Sequence, residues 1–351
     1  MEIFRDEIVQ LNEYSLKVFP SRIKLNQNEN PYELPAAIKQ QIIERLAAAE
    51  WSRYPSFIPQ KQIEDVARFV GWKADGVLIG NGSNELLQLL LTCLLERGKS
   101  VVISQPTFTL YKLLARSLGA TVAEVPMQKP FAFDVQRIID TANDTKASLV
   151  ILCSPNNPTG TSLKRDEVRR IIESTQAVVA LDEAYVQFAP ESQISILKEY
   201  ERLVIFQTFS KAMGAAGLRF GYLLAHPSIA KNLNKVKLPY NVNIFTLIAA
   251  EVLMENRATL RIAVDKLIAE RDRLYNEMLK FDNLTVYPSS ANFLLFETLQ
   301  KSPQEIFNLL LEKGILIRNV SSYPMLERGL RVSVGTPEQN NEFLAALQEV
   351  L

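Results

Sequence analysis

Five polar side chains stand at or just beyond the ends of short apolar runs, where they could act on a small ligand. They are Asn157, Asp182, Tyr185, Lys211 and Arg219. A lysine in an apolar segment can have a depressed amine pKa and form a Schiff base. A carboxylate that ends an apolar strand is partly buried and needs a partner, although a helix N-cap is the competing explanation for Asp182.

The segment Gly80–Glu85 follows another apolar run and opens a helical pattern. Glu85 takes the place of the third glycine of a dinucleotide fingerprint, which argues against a nicotinamide site. The free N–H groups and the dipole of a helix N-terminus suit a phosphate. A plain turn with Ser83 as N-cap is the alternative.

Two proline-containing segments also follow apolar runs. Ser154–Gly160 has two prolines and a glycine, which predict a rigid loop able to hold the Asn157 amide over a ligand. Pro106-Thr107-Phe108 offers an aromatic face for stacking on a flat ring, and core packing is the alternative for Phe108.

Taken together, the five polar residues indicate one ligand more strongly than any of them does alone, because they follow strand-like runs in chain order. Lys211 suits an imine, and Asp182 suits a pyridinium nitrogen. Asn157 and Tyr185 suit a phenolate oxygen, and Arg219 with a helix N-terminus suits a phosphate. Together these are the needs of pyridoxal phosphate, which the sequence therefore predicts as the cofactor.

The amino-acid composition fits an enzyme that depends on a bound cofactor for part of its chemistry. The chain has 351 residues, with 39 Lys+Arg, 39 Asp+Glu, one His and two Cys. Balanced charge gives no field to attract nucleic acid or an anionic membrane, so we expect neither as a partner. A zinc site built from Cys and His is excluded by their number. Acid–base chemistry must then come from Lys, Tyr, carboxylates or a cofactor.

The elements that position these residues alternate in the middle of the chain, with short apolar runs between amphipathic stretches. This pattern predicts an α/β fold with a mostly parallel sheet in a three-layer αβα domain, plus a smaller α+β domain. We expect residues 35–242 to form the large domain, and residues 1–34 and 243–351 the small domain with an N-terminal arm. The expected strands are Val77–Gly80, Val101–Ser104, Leu149–Cys153, Val178–Leu181, Leu203–Phe206, Tyr222–Ala225, Thr285–Tyr287, Phe293–Glu297, Ile315–Arg318 and Arg331–Val334. The expected helices of the C-terminal part are Asn243–Asn256, Ala258–Phe281, Pro303–Glu312 and Pro337–Val350.

The N-terminal segment, the apolar runs and the two cysteines suggest the cellular compartment of the protein. The segment Met1–Leu16 lacks the pattern of a signal peptide, and no uncharged apolar run approaches the ~20 residues that span a bilayer. Cys93 and Cys153 are expected to be buried, reduced thiols. The expected location is the cytoplasm.

The chain resembles the fold-type-I pyridoxal-phosphate aminotransferases over nearly its whole length. The strings that carry the superfamily resemblance are Asn156-Asn157-Pro158-Thr159-Gly160, Asp182-Glu183-Ala184-Tyr185 and Ser210-Lys211. Two terminal strings, Leu25–Pro31 and Leu330–Thr336, point to the histidinol-phosphate branch of that family.

The resemblance implies a role for each residue around the cofactor. Lys211 would hold the cofactor and shuttle a proton, and Asp182 would keep the pyridine nitrogen protonated. Tyr185 and Asn157 would bind the ring oxygen. Phe108, often Tyr in the family, would stack on the ring. The groups implied for the cofactor phosphate are Gly82, Ser83, Asn84 (often Asp in relatives), Thr208, Ser210 and Arg219.

The resemblance also implies substrates and a partner. The reaction would convert L-histidinol phosphate and 2-oxoglutarate into imidazole acetol phosphate and L-glutamate. Arg318 and Arg331 would bind the substrate phosphate with Tyr14 and Asn30 nearby, although in amino-acid relatives the arginine matching Arg331 binds a carboxylate. Tyr54 would reach the cofactor phosphate of a neighbouring subunit, so we expect a homodimer. Aromatic amino-acid aminotransferase and threonine-phosphate decarboxylase activities remain alternatives.

Overall fold

The computed structural model describes residues 3–13 and 17–351, so Tyr14 lies outside the described residues. Its strands are β1 (Ile23–Lys24), β2 (Val77–Asn81), β3 (Ser100–Gln105), β4 (Thr121–Pro126), β5 (Leu149–Cys153), β6 (Val178–Asp182), β7 (Leu203–Thr208), β8 (Phe220–Ala225), β9 (Leu284–Val286), β10 (Phe293–Thr298), β11 (Ile315–Leu316), β12 (Arg318–Asn319) and β13 (Gly329–Ser333).

The α-helices of the described residues cover both faces of the larger sheet and pack beside the smaller one. They are α1 (Asp6–Val9), α2 (Ala36–Ala47), α3 (Gln60–Val70), α4 (Ser83–Leu94), α5 (Leu110–Ser117), α6 (Val135–Asp144), α7 (Arg165–Ser174), α8 (Pro227–Leu233), α9 (Ile244–Glu255), α10 (Arg257–Met278), α11 (Pro303–Glu312) and α12 (Pro337–Val350). Within the described ranges, no helix is both long and apolar enough to cross a membrane.

The larger sheet has the strand order β2-β8-β7-β6-β5-β3-β4. Strands β7, β6, β5, β3 and β4 are parallel to one another. Strand β8 is antiparallel to both of its neighbours, so β2 again points in the same direction as β7. The carboxyl ends of β2, β3, β5, β6 and β7 therefore meet at one edge, where ligands bind in open α/β sheets.

The core explains why these strands are almost continuously apolar. Val150 and Leu152 of β5 enter one buried cluster, whereas Leu149 and Ile151 enter a second cluster on the opposite face. A sheet covered on both faces needs apolar residues at successive positions instead of every second one. The prediction of a mostly parallel sheet inside an αβα sandwich is confirmed.

The smaller unit contains an antiparallel sheet with the order β12-β13-β10-β9. Beside it, β1 near the start of the chain pairs in parallel with β11, so that Ile23 stands opposite Ile315. Helix α9, which the sequence pattern groups with this unit, packs into the large-sheet core through Leu247, Val252 and Leu253. By packing, α9 belongs with α2 and α3.

Three details differ from the expected elements. Strand β4 was not anticipated, because it pairs only with β3 at the sheet edge and Val125 is its one buried residue. The expected strand Ile315–Arg318 is divided: β11 pairs with β1, and β12 pairs with β13. The expectation of a buried thiol is wrong for Cys93, which is exposed on α4, whereas Cys153 is buried.

Gly221 of β8 is placed where a side chain has no room. A Cβ atom there would lie 2.3 Å from the backbone nitrogen of Ser83 and 2.6 Å from the carbonyl carbon of Gly82. Gly221→Ala is expected to lower the free energy of unfolding by about 1–3 kcal/mol, because the backbone of β8 and that of Gly82 and Ser83 would have to move apart. Urea unfolding of the cofactor-free protein measures this.

Gly217→Ala is the matched control for that substitution. A Cβ at Gly217 would meet no described atom within 4 Å, so the expected change is within about 0.5 kcal/mol. Equal stability of the two variants would contradict the close approach of β8 to the start of α4.

Candidate active site

A cavity of about 220 Å³ lies at the edge of the large sheet where the parallel strands end. Twelve of the residues singled out by the sequence line it together. They are Ser83, Asn84, Phe108, Asn157, Asp182, Tyr185, Thr208, Ser210, Lys211, Arg219, Arg318 and Arg331.

Lys211 follows β7 by three residues and projects its amine into this cavity. Its Nζ donates a hydrogen bond to the backbone oxygen of Gln27 at 2.8 Å. Burial, with the nearby Arg331 guanidinium, lowers the pKa of the Lys211 amine to about 8. The amine is therefore present in both protonation states near neutral pH.

Asp182 is the last residue of β6, and its carboxylate is held by two donors. Oδ2 accepts from the Tyr111 hydroxyl at 2.6 Å, and Oδ1 accepts from the Ala184 backbone N–H at 3.0 Å. Burial raises the pKa of Asp182, and these donors oppose that shift. The N-cap of the following 3₁₀-helix, Val186–Phe188, is Tyr185, so the N-cap alternative for Asp182 is not the arrangement observed.

The opposite end of the cavity is built for an anion. Gly82 has a φ of +83° and turns the chain from β2 into the first turn of α4 at Ser83. A Cβ at Gly82 would come within 2.4 Å of the Arg219 side chain, so glycine allows the arginine to approach. Arg219 Nη1 donates to Ser210 Oγ at 3.0 Å, and Thr208 Oγ1 also contacts Ser210 Oγ at 3.0 Å.

Residues of the small sheet close the cavity from the other side. Arg331 of β13 is buried, donates from Nη2 to the Asn26 backbone oxygen at 2.7 Å, and contacts the Asn157 Oδ1 atom through Nη1. Arg318 stands opposite Arg331 in the register of β12 and β13. Tyr185 is buried, and burial raises the pKa of its phenol.

Three described residues from the sequence prediction lie outside the cavity lining. Gly82 lies next to two lining residues, Ser83 and Arg219. Asn30 donates from Nδ2 to the backbone oxygen of Ala212 at 3.0 Å and so braces the loop that carries Lys211. Tyr54 is 82% exposed and stacks on Tyr240, with ring centroids 4.6 Å apart. His226 is the N-cap of α8, where its side chain accepts the Ser228 backbone N–H.

Sequence reasoning missed several residues that line the cavity, namely Asn26, Gln27, Asn28, Tyr111, Cys153 and Tyr323. Tyr111 lies in the first turn of α5, and no local pattern pairs its hydroxyl with Asp182, which is 71 residues further along the chain. Asn26 to Asn28 gave only a family signal, because β1 brings them to the cavity through pairing with β11, which is distant in sequence.

Comparisons with known proteins agree with this geometry. A family model described as aminotransferase class I and II matches residues 20–347. The histidinol-phosphate aminotransferase of Chlorobaculum tepidum is 38% identical over 331 residues, which are 94% of this chain and 94% of that protein. The chain belongs to the class I and II aminotransferase family.

Solved structures show the same fold. Histidinol-phosphate aminotransferase from Sinorhizobium meliloti in complex with pyridoxal-5'-phosphate superimposes with a TM-score of 0.90 at 24% identity, covering 100% of this chain and 98% of that chain. L-threonine-O-3-phosphate decarboxylase from Porphyromonas gingivalis gives a TM-score of 0.83 at 24% identity, covering 93% of this chain and 98% of that chain. At these identities the likeness concerns the fold.

Pyridoxal phosphate is the cofactor of this family, and the residues of the cavity fit it. The fit rests on the donor set: an amine with a lowered pKa, a buried carboxylate, and an anion site at a glycine turn where a Cβ would collide with Arg219. When bound, the cofactor supplies an electron sink for the bonding electrons released at a substrate carbon.

The lowered pKa of Lys211 makes a prediction for the cofactor-free protein. The amine has a folded-state pKa of about 8 and a reference value of 10.5, so the unfolded chain binds more protons between these pH values. Stability should then rise with pH through this window. Below about pH 8, Lys211→Met is expected to be more stable than the native chain by about 1–3 kcal/mol.

Urea unfolding at pH 7 and at pH 10 measures that difference, which should shrink at the higher pH. Lys198→Met, at an exposed position, is the control and should show little change at either pH. A stabilisation of Lys211→Met that is independent of pH would contradict the assignment.

Proposed function

We propose that this protein transfers the amino group of L-histidinol phosphate to 2-oxoglutarate, giving imidazole acetol phosphate and L-glutamate. The observation that carries the proposal is a second cationic subsite. Arg318 and Arg331 line the cavity from the small sheet, separate from the Arg219 and Ser210 cluster at the start of α4. One subsite suits the cofactor phosphate and the other suits the substrate phosphate.

Relatives support the same substrate. The Chlorobaculum tepidum protein bears the name of this activity, and this chain spans 94% of its length. The histidinol-phosphate branch expected from the two terminal strings agrees with that name. In this assignment the enzyme belongs to histidine biosynthesis.

The side chains around the cofactor receive distinct roles. Asp182 holds the pyridine nitrogen as a cation, and Tyr185 with Asn157 binds the ring oxygen. Phe108 supplies a face for stacking. The phosphate is held by the turn and side chains of Gly82, Ser83, Asn84, Thr208, Ser210 and Arg219.

Lys211 carries the proton transfer. Its Nζ lies in the cavity. Because its pKa is about 8, the amine can both take up and release a proton near neutral pH. Desolvation in the closed cavity keeps the amine reactive. A single side chain thus does the acid and base work that many enzymes assign to histidine.

A homodimer completes the site in this proposal. Tyr54 lies outside its own cavity and is exposed, and with Tyr240 and Phe57 it forms an aromatic surface. Exposed apolar surface of this kind is typical of an interface. A second copy covering it would place Tyr54 at the neighbouring cofactor phosphate.

The free thiols Cys93 and Cys153 suit a reducing compartment, so we place the enzyme in the cytoplasm.

A titration of the holoenzyme separates the candidate substrates. L-histidinol phosphate is expected to convert the visible absorbance of the lysine-bound cofactor to that of its amino form at concentrations at least about tenfold below those needed with phenylalanine, because the second subsite binds a phosphate. Diode-array spectroscopy follows the change. Tighter action of phenylalanine, or release of CO₂ from threonine phosphate, would replace the proposed substrate by one of the alternatives. Lys211→Ala should abolish the response.

Mixing two defective subunits tests the shared site. Tyr54→Ala and Lys211→Ala homodimers should each be strongly impaired, but hybrid dimers contain one cavity with both native residues. After subunit exchange at equal amounts, activity should recover to about one quarter of the native value. Activity equal to the average of the parents would contradict a site shared between subunits.

A further inference from the structure

Asn28 combines three features that together indicate a functional residue. It lines the cavity, it is only 1% exposed, and its backbone has a φ of +56°. Asparagine tolerates this left-handed conformation better than most residues, but the conformation is still strained. Strain of this kind concentrates at functional sites, so the contacts of the Asn28 side chain are informative.

The hydrogen bonds of Asn28 fix the orientation of its amide. Ser333 Oγ accepts the Asn28 backbone N–H at 2.8 Å and donates its own proton to Asn28 Oδ1 at 3.0 Å. Asn292 Nδ2 donates to the Asn28 backbone oxygen at 3.0 Å. With Oδ1 occupied by Ser333, the Nδ2 group is left to donate to the Tyr185 hydroxyl oxygen, at 3.0 Å.

This contact determines what the Tyr185 hydroxyl can do. A phenol has one proton to donate and an oxygen that accepts. Because Asn28 presents a donor, the phenol cannot give its proton in that direction. The ring of Tyr185 is held edge-on by Phe293, with centroids 5.2 Å apart, so the hydroxyl remains at the cavity.

We propose that Asn28 is a positioning residue for catalysis: its amide donates to the Tyr185 oxygen and thereby directs the phenol proton toward the ring oxygen of the cofactor. The inference rests on the proposed function only in placing Tyr185 at that ring oxygen. It gives a chemical role to the N-terminal segment, which also supplies the backbone oxygens of Asn26 and Gln27 to the cavity.

The expected signature is a change in proton affinity at the Lys211 nitrogen once it is joined to the cofactor. A hydrogen bond donated to the ring oxygen withdraws negative charge from the neighbourhood of that nitrogen and lowers its proton affinity. If the phenol proton is misdirected, the pH midpoint of the cofactor's visible absorbance should rise. The charged or titratable groups around Lys211 and Tyr185 are Asp182, Cys153, Arg331, Arg219, Glu29 and Lys24, and all are retained in the variants.

The test compares Asn28→Gly and Asn28→Asp with Tyr185→Phe by absorbance pH titration of the holoenzymes. Glycine keeps the left-handed backbone and removes the donor, so proton affinity should rise about three- to tenfold. Aspartate replaces the donor by an acceptor and should raise it at least as far as Tyr185→Phe. In the Tyr185→Phe background, Asn28→Gly should add nothing, and Asn28→Asp should add only the effect of its charge.

Asn292→Ala is the structural control, since it removes a donor to the Asn28 backbone and leaves the Asn28 amide in place. It should lower the unfolding temperature of the cofactor-free protein while moving the midpoint by less than a third of the Asn28→Gly shift. Equal shifts in Asn292→Ala and Asn28→Gly, or an Asn28→Gly shift that persists with Tyr185→Phe, would overturn the inference. No shift in Tyr185→Phe itself would instead remove the proposed role of Tyr185.

Discussion

The common direction of the strands in the large sheet is the constraint on which the rest of the molecule depends. Because β2, β5, β6 and β7 all end at one edge, residues from distant parts of the chain meet there without long loops. Each strand end supplies one kind of group: a turn into a helix, an amide, a carboxylate and an amine. The small sheet adds two arginines, Arg318 and Arg331, which line the cavity from its other side.

Burial gives this collection of groups its reactivity. The same desolvation lowers the pKa of Lys211 and raises the pKa of Asp182, so both groups move toward the neutral pH range from opposite sides. Neighbouring donors moderate the effect at the carboxylate, where Tyr111 and Ala184 each contribute a hydrogen bond. The chain has a single histidine, and it serves as a helix cap.

Most of the cavity was predictable from the sequence because apolar runs mark the strands and polar residues mark their ends. The positions of Asp182 and Lys211 followed from this pattern alone. Strand β4 was not predictable in the same way, since an edge strand with a single buried residue gives a weak apolar signal. The roles of Asn28 and Tyr111 depend on side-chain contacts across 157 and 71 residues of chain, which no local pattern encodes.

The pairing of β1 with β11 has a consequence for the order in which the protein becomes functional. Ile23 leaves the ribosome early, but its strand partner Ile315 is made near the end of synthesis. Until then Gln27 has no framework to hold it against Lys211, and Asn28 cannot meet Ser333. The large sheet can form while the chain is still growing, whereas the cavity is completed only when the last part of the chain has emerged.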